Sequence, residues 1–285
     1  MLRVPGSRRS LAAARADGAQ VRLVYSPLDA LKLAERNPEL EVVFFAVGFE
    51  TTMPATALAV LQAERRGIRN FSLLCAHVRV QPAMEQLLRS PDNRVQGFLA
   101  AGHVCSVVGY ESYEALCRRY RVPIVVTGFE PIDLLAGIDA CVEQLQSGRY
   151  AVENRYDRAV TSAGNPTAVR MIDDVFEICD RSWRGFGTLA LGGFRLRDAW
   201  RGFDAEHRFG TTIPTSNDAC RRCRSGDVLS GRIRPPECAE FGAACRPEHP
   251  LGAPMVSGEG ACAAYYRYHR VGASEATCDG SGAPS

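Results

Sequence analysis

The chain lacks any apolar run approaching the roughly 18 residues a helix needs to cross a bilayer; its longest is Val42-Val43-Phe44-Phe45-Ala46-Val47. A membrane-spanning role is therefore not expected. Blocks of like charge are also missing, and the net charge is only +2, so neither a basic footprint for nucleic acid nor an acidic tail is present. The first residues, Met1-Leu2-Arg3-Val4-Pro5-Gly6-Ser7, contain no apolar core of a secretory signal. That absence predicts a cytoplasmic protein whose eleven cysteines stay reduced. Clustered cysteines in such a compartment point to metal or redox chemistry rather than disulfides.

At 285 residues and 46% hydrophobic content the chain can build at least one substantial core. Residues 21–150 alternate between strand and helix patterns. Val21–Tyr25 reads as a β-rich run, Pro27 opens a helix to about Arg36, and Glu41–Val47 is a short apolar strand before a helix over Pro54–Arg66. The pattern repeats with strands at Phe71–Cys75, Gly97–Ala100 and Val122–Val126 and helices at Pro82–Leu88, Ser112–Arg119 and Ile132–Gln146. A βαβα order implies parallel sheet, whose buried strands are continuous apolar runs of the kind seen at Val42–Val47. The triplet Gly-Phe-Glu follows a strand twice, at Gly48-Phe49-Glu50 and Gly128-Phe129-Glu130, an echo that duplication of an α/β half would explain. A further helical stretch is expected over Val152–Ile178, followed by a glycine-rich passage with no Gly-x-Gly-x-x-Gly fingerprint.

Six of the eleven cysteines lie after residue 219. Cys223, Cys238, Cys245 and Cys262 are separated by 14, 6 and 16 residues, in text dense with turn formers such as Pro235-Pro236, Pro247, Pro250 and Gly252. So little apolar periodicity suits a shell folded around a metal centre whose bonds replace a core. Four thiolates fit either tetrahedral zinc or a [4Fe–4S] cube. Structural zinc sites use two close ligand pairs, and only Cys220 with Cys223 is close here, so the spacing favours the cluster; Cys220 is an alternative ligand to Cys223. Buried free thiols are the remaining reading.

Cys223-Arg224-Ser225-Gly226-Asp227-Val228-Leu229, Cys238-Ala239-Glu240-Phe241-Gly242 and the stretch Met255 to Tyr266 together resemble the C-terminal cluster motif of the hydrogenase-maturation family HypD, position for position in cysteine spacing. The likeness extends back through Phe203-Asp204-Ala205-Glu206, Trp183-Arg184-Gly185, Gly128-Phe129-Glu130-Pro131, Gly102-His103-Val104 and Gly48-Phe49-Glu50-Thr51-Thr52 to Arg3-Val4-Pro5-Gly6-Ser7. The resemblance implies a [4Fe–4S] protein that, with a HypC-like small chaperone, carries the iron of [NiFe] hydrogenase while carbonyl and cyanide are added, the cyanide coming from a HypE-like protein working with HypF. Family members also have Cys-Gly-Thr-His and Gly-Pro-Gly-Cys-Pro-Val-Cys motifs, implicated in holding iron and in thiol redox chemistry, upstream of the Arg-Val-Pro-Gly-Ser stretch. Here no cysteine precedes Cys75, which predicts a truncated first lobe, a start assigned too far downstream, or a degenerate relative.

In doubly wound sheets ligands meet the carboxyl ends of strands. Glu50, Thr51, Thr52, His77, His103 and Glu130 all fall at such ends, where they could transfer protons or hydrogen-bond iron-bound cyanide. For Thr51 or Thr52, capping of the next helix is the simpler role. The resemblance supports Glu50, His77, His103 and Glu130, with Ala101 standing where the family has proline. Cys75, Cys105, Cys117, Cys141 and Cys179 are read as core thiols, the last three on helical patterns.

The expectation is an α/β protein of two related parallel-sheet lobes, the first truncated, with a small irregular and helical iron–sulfur subdomain. The boundaries are residues 1–75, 76–180 and 181–271, then a disordered tail over 272–285. Its expected role is an assembly scaffold with redox capacity rather than a turnover enzyme. An iron–sulfur oxidoreductase or lyase, a zinc-stabilised binding module and a non-functional fragment are the alternatives.

Overall fold

A computed structural model describes residues 2, 4, 9–183, 186–210 and 222–273. The chain divides into two compact units, Leu23–Ile213 and Met1–Arg22 with Pro214–Ser285. The second unit contributes the opening helix α1 (Leu11–Ala16), started by the Ser10 hydroxyl accepting from the Ala13 amide.

The larger unit begins with α2 (Pro27–Arg36). Ser26 caps it by accepting from the Leu28 amide at 3.2 Å, and Pro27 sits at a position where a missing N–H costs nothing. Strand β1 (Val42–Gly48) leads through a 3-10 turn, Glu50–Thr52, into α3 (Met53–Arg65) and then β2 (Phe71–His77), which pairs in parallel with β1 from Val42↔Phe71 to Gly48↔His77. After α4 (Val80–Arg89), a second parallel sheet is built from β3 (Phe98–Ala101), α5 (Gly102–Val108), α6 (Glu111–Tyr120), β4 (Ile124–Thr127), α7 (Pro131–Gln146) and β5 (Val152–Asn154), in the order β3-β4-β5. The expected α/β class with parallel sheets is what the chain forms. Both Gly-Phe-Glu triplets mark the C-terminal end of a parallel strand, the first running from the last residue of β1 into the 3-10 turn and the second lying between β4 and α7.

The unit closes with α8 (Pro166–Val175), the antiparallel hairpin β6 (Phe176–Trp183) and β7 (Gly187–Leu196), a 3-10 segment Asp198–Phe203 and α9 (Ala205–Phe209). One core joins α2, α3 and β2 to the hairpin around Leu31, Met53, Phe71, Leu73 and Phe176; the other joins β3 and β4 to α6 around Ile124, Val126, Leu116 and Tyr113. Burial of each such side chain contributes about 1.5–3 kcal/mol, which sets these sheets as the rigid frame.

Three local expectations are corrected. Val21–Tyr25 is irregular: no strand pairs with it, Leu23 and Tyr25 point into solvent, and β-propensity without a partner gives no strand. The stretch 152–178 is not one helix but β5, α8 and the start of β6, because Phe176 and Ile178 pair with Leu196 and Phe194 across the hairpin. Cys179 therefore lies on a strand.

In the other unit, α10 (Ser225–Leu229), a 3-10 turn Pro235–Glu237, α11 (Ala253–Val256) and α12 (Ala261–Ala273) are joined by turns. Helix α12 runs through Gly272 and Ala273, which the tail was expected to include; the rest of that tail lies outside the described residues. No helix among the described residues is long and apolar enough to cross a membrane.

Candidate functional site

The turns that follow α10 are fixed by short-range polar contacts. The Arg234 amide donates to Glu237 at 2.6 Å, the Cys245 amide to the Glu240 carbonyl at 2.8 Å, and Arg222 pairs with Glu240 at 3.1 Å. Phe241 meets Tyr266 of α12 edge-on at 5.8 Å. This scaffold turns Cys223, Cys238, Cys245 and Cys262 onto one pocket, whose other walls are largely apolar (Val228, Phe241, Leu251, Pro254 and Met255 among them) with Ser225, Arg224 and Glu240 as the polar members. Each cysteine comes from a different place: before α10, after the 3-10 turn, within the following turn, and in the first turn of α12.

Burial pushes the Cys262 thiol up to about 12, and the Cys245, Cys223 and Cys238 sulfurs around it add to that shift. Cys245 is also raised by burial, against the lowering effect of the Leu251 and Gly252 amides; the Leu251 N–H lies 3.4 Å from its sulfur. At Gly252 a Cβ would stand 2.1 Å from the Cys223 sulfur, so any larger residue there would force that sulfur to move. Among the described residues no three His, Cys, Asp or Glu side chains are grouped as a metal-ion site. Cys220, the alternative ligand, lies outside the described residues.

The strand-end residues fall into two groups. At the end of β1 and β2, Glu50 is only 5% exposed. One of its oxygens accepts from the Val80 amide at 3.2 Å, at the start of α4, and the other is buried without a partner among the described residues. Burial raises its pKa, opposed by backbone hydrogen bonds and by Arg79. Thr52 does not cap α3 with its side chain. Its hydroxyl donates to the Phe49 carbonyl at 3.1 Å and lies 3.1 Å from Nε2 of His77, so a neutral His77 donates to Thr52. His77 is fully buried, and burial together with Arg181 lowers its pKa to about 4. Its Nδ1 is 3.8 Å from Cys75, a thiol pushed up to about 11 by burial. Thr51 is half-buried in the same turn.

At the end of β3 and β4, His103 is exposed and its ring lies 4.9 Å from Phe129 and 6.3 Å from Tyr156. Glu130 is exposed at the start of α7 and pairs with Arg158 at 3.1 Å. The turn carrying Glu50 packs on α5, the helix carrying His103. Cys105 and Tyr113, buried nearby, hydrogen-bond each other, and burial raises the Cys105 thiol to about 12.

Sequence reasoning missed the Asp133–Arg158 pair, two contacts of 2.7 and 2.6 Å that hold Asp133 below the usual carboxylate range, with Arg158 stacked 4.5 Å above Tyr156. A signal existed in the glycines of two motifs: a Cβ at Gly102 would meet Tyr156 at 2.5 Å, and one at Gly128 would meet Asp133 at 2.1 Å.

Comparison with known proteins adds identity to this geometry. The family described as "HypD: Hydrogenase formation hypA family" matches residues 1–269. The chain is 48% identical over 278 residues to the hydrogenase maturation factor HypD of Rhodobacter capsulatus, covering 96% of this chain and 74% of that protein. It is 46% identical to the HypD of Escherichia coli K12 (94% and 72%) and 46% identical to that of Azotobacter vinelandii (95% and 73%). On the length and depth of these matches, the chain belongs to the HypD family of hydrogenase maturation factors.

Proposed function

We propose that this chain is an iron–sulfur assembly scaffold in the maturation of [NiFe] hydrogenase, with Cys223, Cys238, Cys245 and Cys262 holding a [4Fe–4S] cluster. The observation that carries the reading is the gathering of four sulfurs, distant in sequence, on one pocket. A cube takes one thiolate at each of four irons, so it asks for sulfurs distributed around a cavity. The surroundings fit: a backbone amide aimed at the Cys245 sulfur supplies the hydrogen bonding that reduced sulfur accepts, and glycine at position 252 leaves Cys223 room to turn inward. A cationic centre bound there would displace the thiol protons of Cys245 and Cys262 into solvent. When bound, such a cluster supplies one-electron redox chemistry.

The cargo is iron carrying carbonyl and cyanide ligands, handled with a HypC-like chaperone and a HypE-like cyanide donor in the cytoplasm. The chain's own contribution at the strand ends is hydrogen bonding and proton handling. Neutral His77 donates to Thr52, whose hydroxyl donates to the Phe49 carbonyl, so this chain of bonds fixes the turn; buried Glu50 keeps one carboxyl oxygen free, and His103 and Glu130 are exposed to a partner. Scaffolding rather than turnover is the role these groups suit.

Anaerobic purification with iron, sulfide and zinc analysis tests the reading. Brown protein with equal iron and sulfide is expected, with loss of both in Cys223→Ala; colourless protein carrying one zinc would replace the cluster with a structural ion.

A further inference from the structure

Ser225 is 2% exposed, and its hydroxyl oxygen is buried with no hydrogen-bond partner among the described residues. It is the first residue of α10, two positions after Cys223, and it stands on the wall of the four-cysteine pocket. A buried hydroxyl without a partner is a standing loss of hydrogen-bond energy, and natural proteins tolerate it where something else completes the bond. Most of the remaining wall offers it little, since Val228, Phe241, Leu251, Pro254 and Met255 are apolar and only Arg224 and Glu240 are charged. The pocket's one carboxylate, Glu240, pairs with Arg222 at 3.1 Å and takes no hydrogen bond from Ser225, which leaves the four cysteine sulfurs as the acceptors gathered there.

We infer that the Ser225 hydroxyl donates a hydrogen bond to sulfur of the bound cluster or of its thiolates and thereby sets the reduction potential of the centre. The inference rests on the cluster reading above. A hydrogen bond to sulfur stabilises the reduced centre, which carries more negative charge, over the oxidised one. Ser225 is a positioning and tuning residue: it takes no part as a ligand. A buried water would satisfy the same hydroxyl without moving the potential, so the two roles separate by measurement.

The test is anaerobic redox titration of wild type, Ser225→Ala and Ser225→Thr, each first assayed for iron and sulfide. Ser225→Ala is expected to load the cluster and to shift its one-electron equilibrium toward the oxidised form by about threefold to tenfold, tenfold corresponding to about 59 mV. Ser225→Thr, which keeps the hydroxyl, should titrate as wild type. A fully loaded Ser225→Ala with an unchanged potential overturns the inference. Should Ser225→Ala fail to load, Ser225→Thr decides: loading at the wild-type potential upholds the hydroxyl's role, and a shifted or empty centre overturns it. Wild type without iron and sulfide sinks the underlying cluster reading instead, a result visible before either variant is titrated.

Discussion

The two units of this protein solve the problem of stability in opposite ways. In Leu23–Ile213, parallel strands bury side chains such as Phe71, Leu73, Ile124 and Val126 completely, and helices of ten to sixteen residues cover them. Between residues 222 and 262 the helices are five and four residues long, too short to persist by themselves, and among the larger apolar side chains there only Met255 is fully buried. One region holds its polar groups in place because its core is complete. The other gathers four thiols around a space.

The sharpest way to break this contrast is to empty the pocket. Iron chelation, or Cys245→Ala, should abolish amide-exchange protection over residues 222–262 and leave β1 to β5 protected. The expected loss is on the order of 10 kcal/mol, the scale on which metal binding drives folding of small metal-held domains. Equal protection with and without iron would show that the turns and ion pairs suffice.

The converse experiment attacks the other core. Phe71→Ala removes a fully buried ring on β2 and should cost about 3–5 kcal/mol, read as a lower denaturant midpoint, with iron and sulfide content kept. If the iron content falls in step with stability, the two regions share a single source of stability.

How much of this was legible beforehand follows the same division. The α/β frame was readable because apolar runs such as Val42–Val47 and signals such as Ser26-Pro27 act locally, and α2 runs over Pro27–Arg36 as its sequence indicates. The four cysteines stood out because turn-rich text around them offers no core to bury. What stayed hidden depends on partners far along the chain. Val21–Tyr25 has strand composition and no strand beside it; the hairpin residues Phe176–Trp183 become a strand only against Gly187–Leu196; Asp133 meets Arg158 25 residues on. The free hydroxyl of Ser225 and the clearance at Gly252 are properties of an assembled cavity, which no periodicity encodes.

A smaller effect separates the regions by pH. His77 is buried among Thr52, Cys75 and Phe176, with the Arg181 charge nearby, and its pKa falls from the ordinary 6.5 to about 4. The folded protein therefore keeps this ring neutral while the unfolded chain takes up a proton below about pH 6.5. Neutral His77 contributes its full stability above that pH, and the contribution is lost as pH falls toward 4, amounting to on the order of 3 kcal/mol. His77→Gln, which cannot titrate, should flatten that acid limb in denaturant melts of the α/β unit. An acid limb of the same slope in wild type and His77→Gln would place the sensitivity on other groups and show that burial at the strand ends does not control the charge of this histidine.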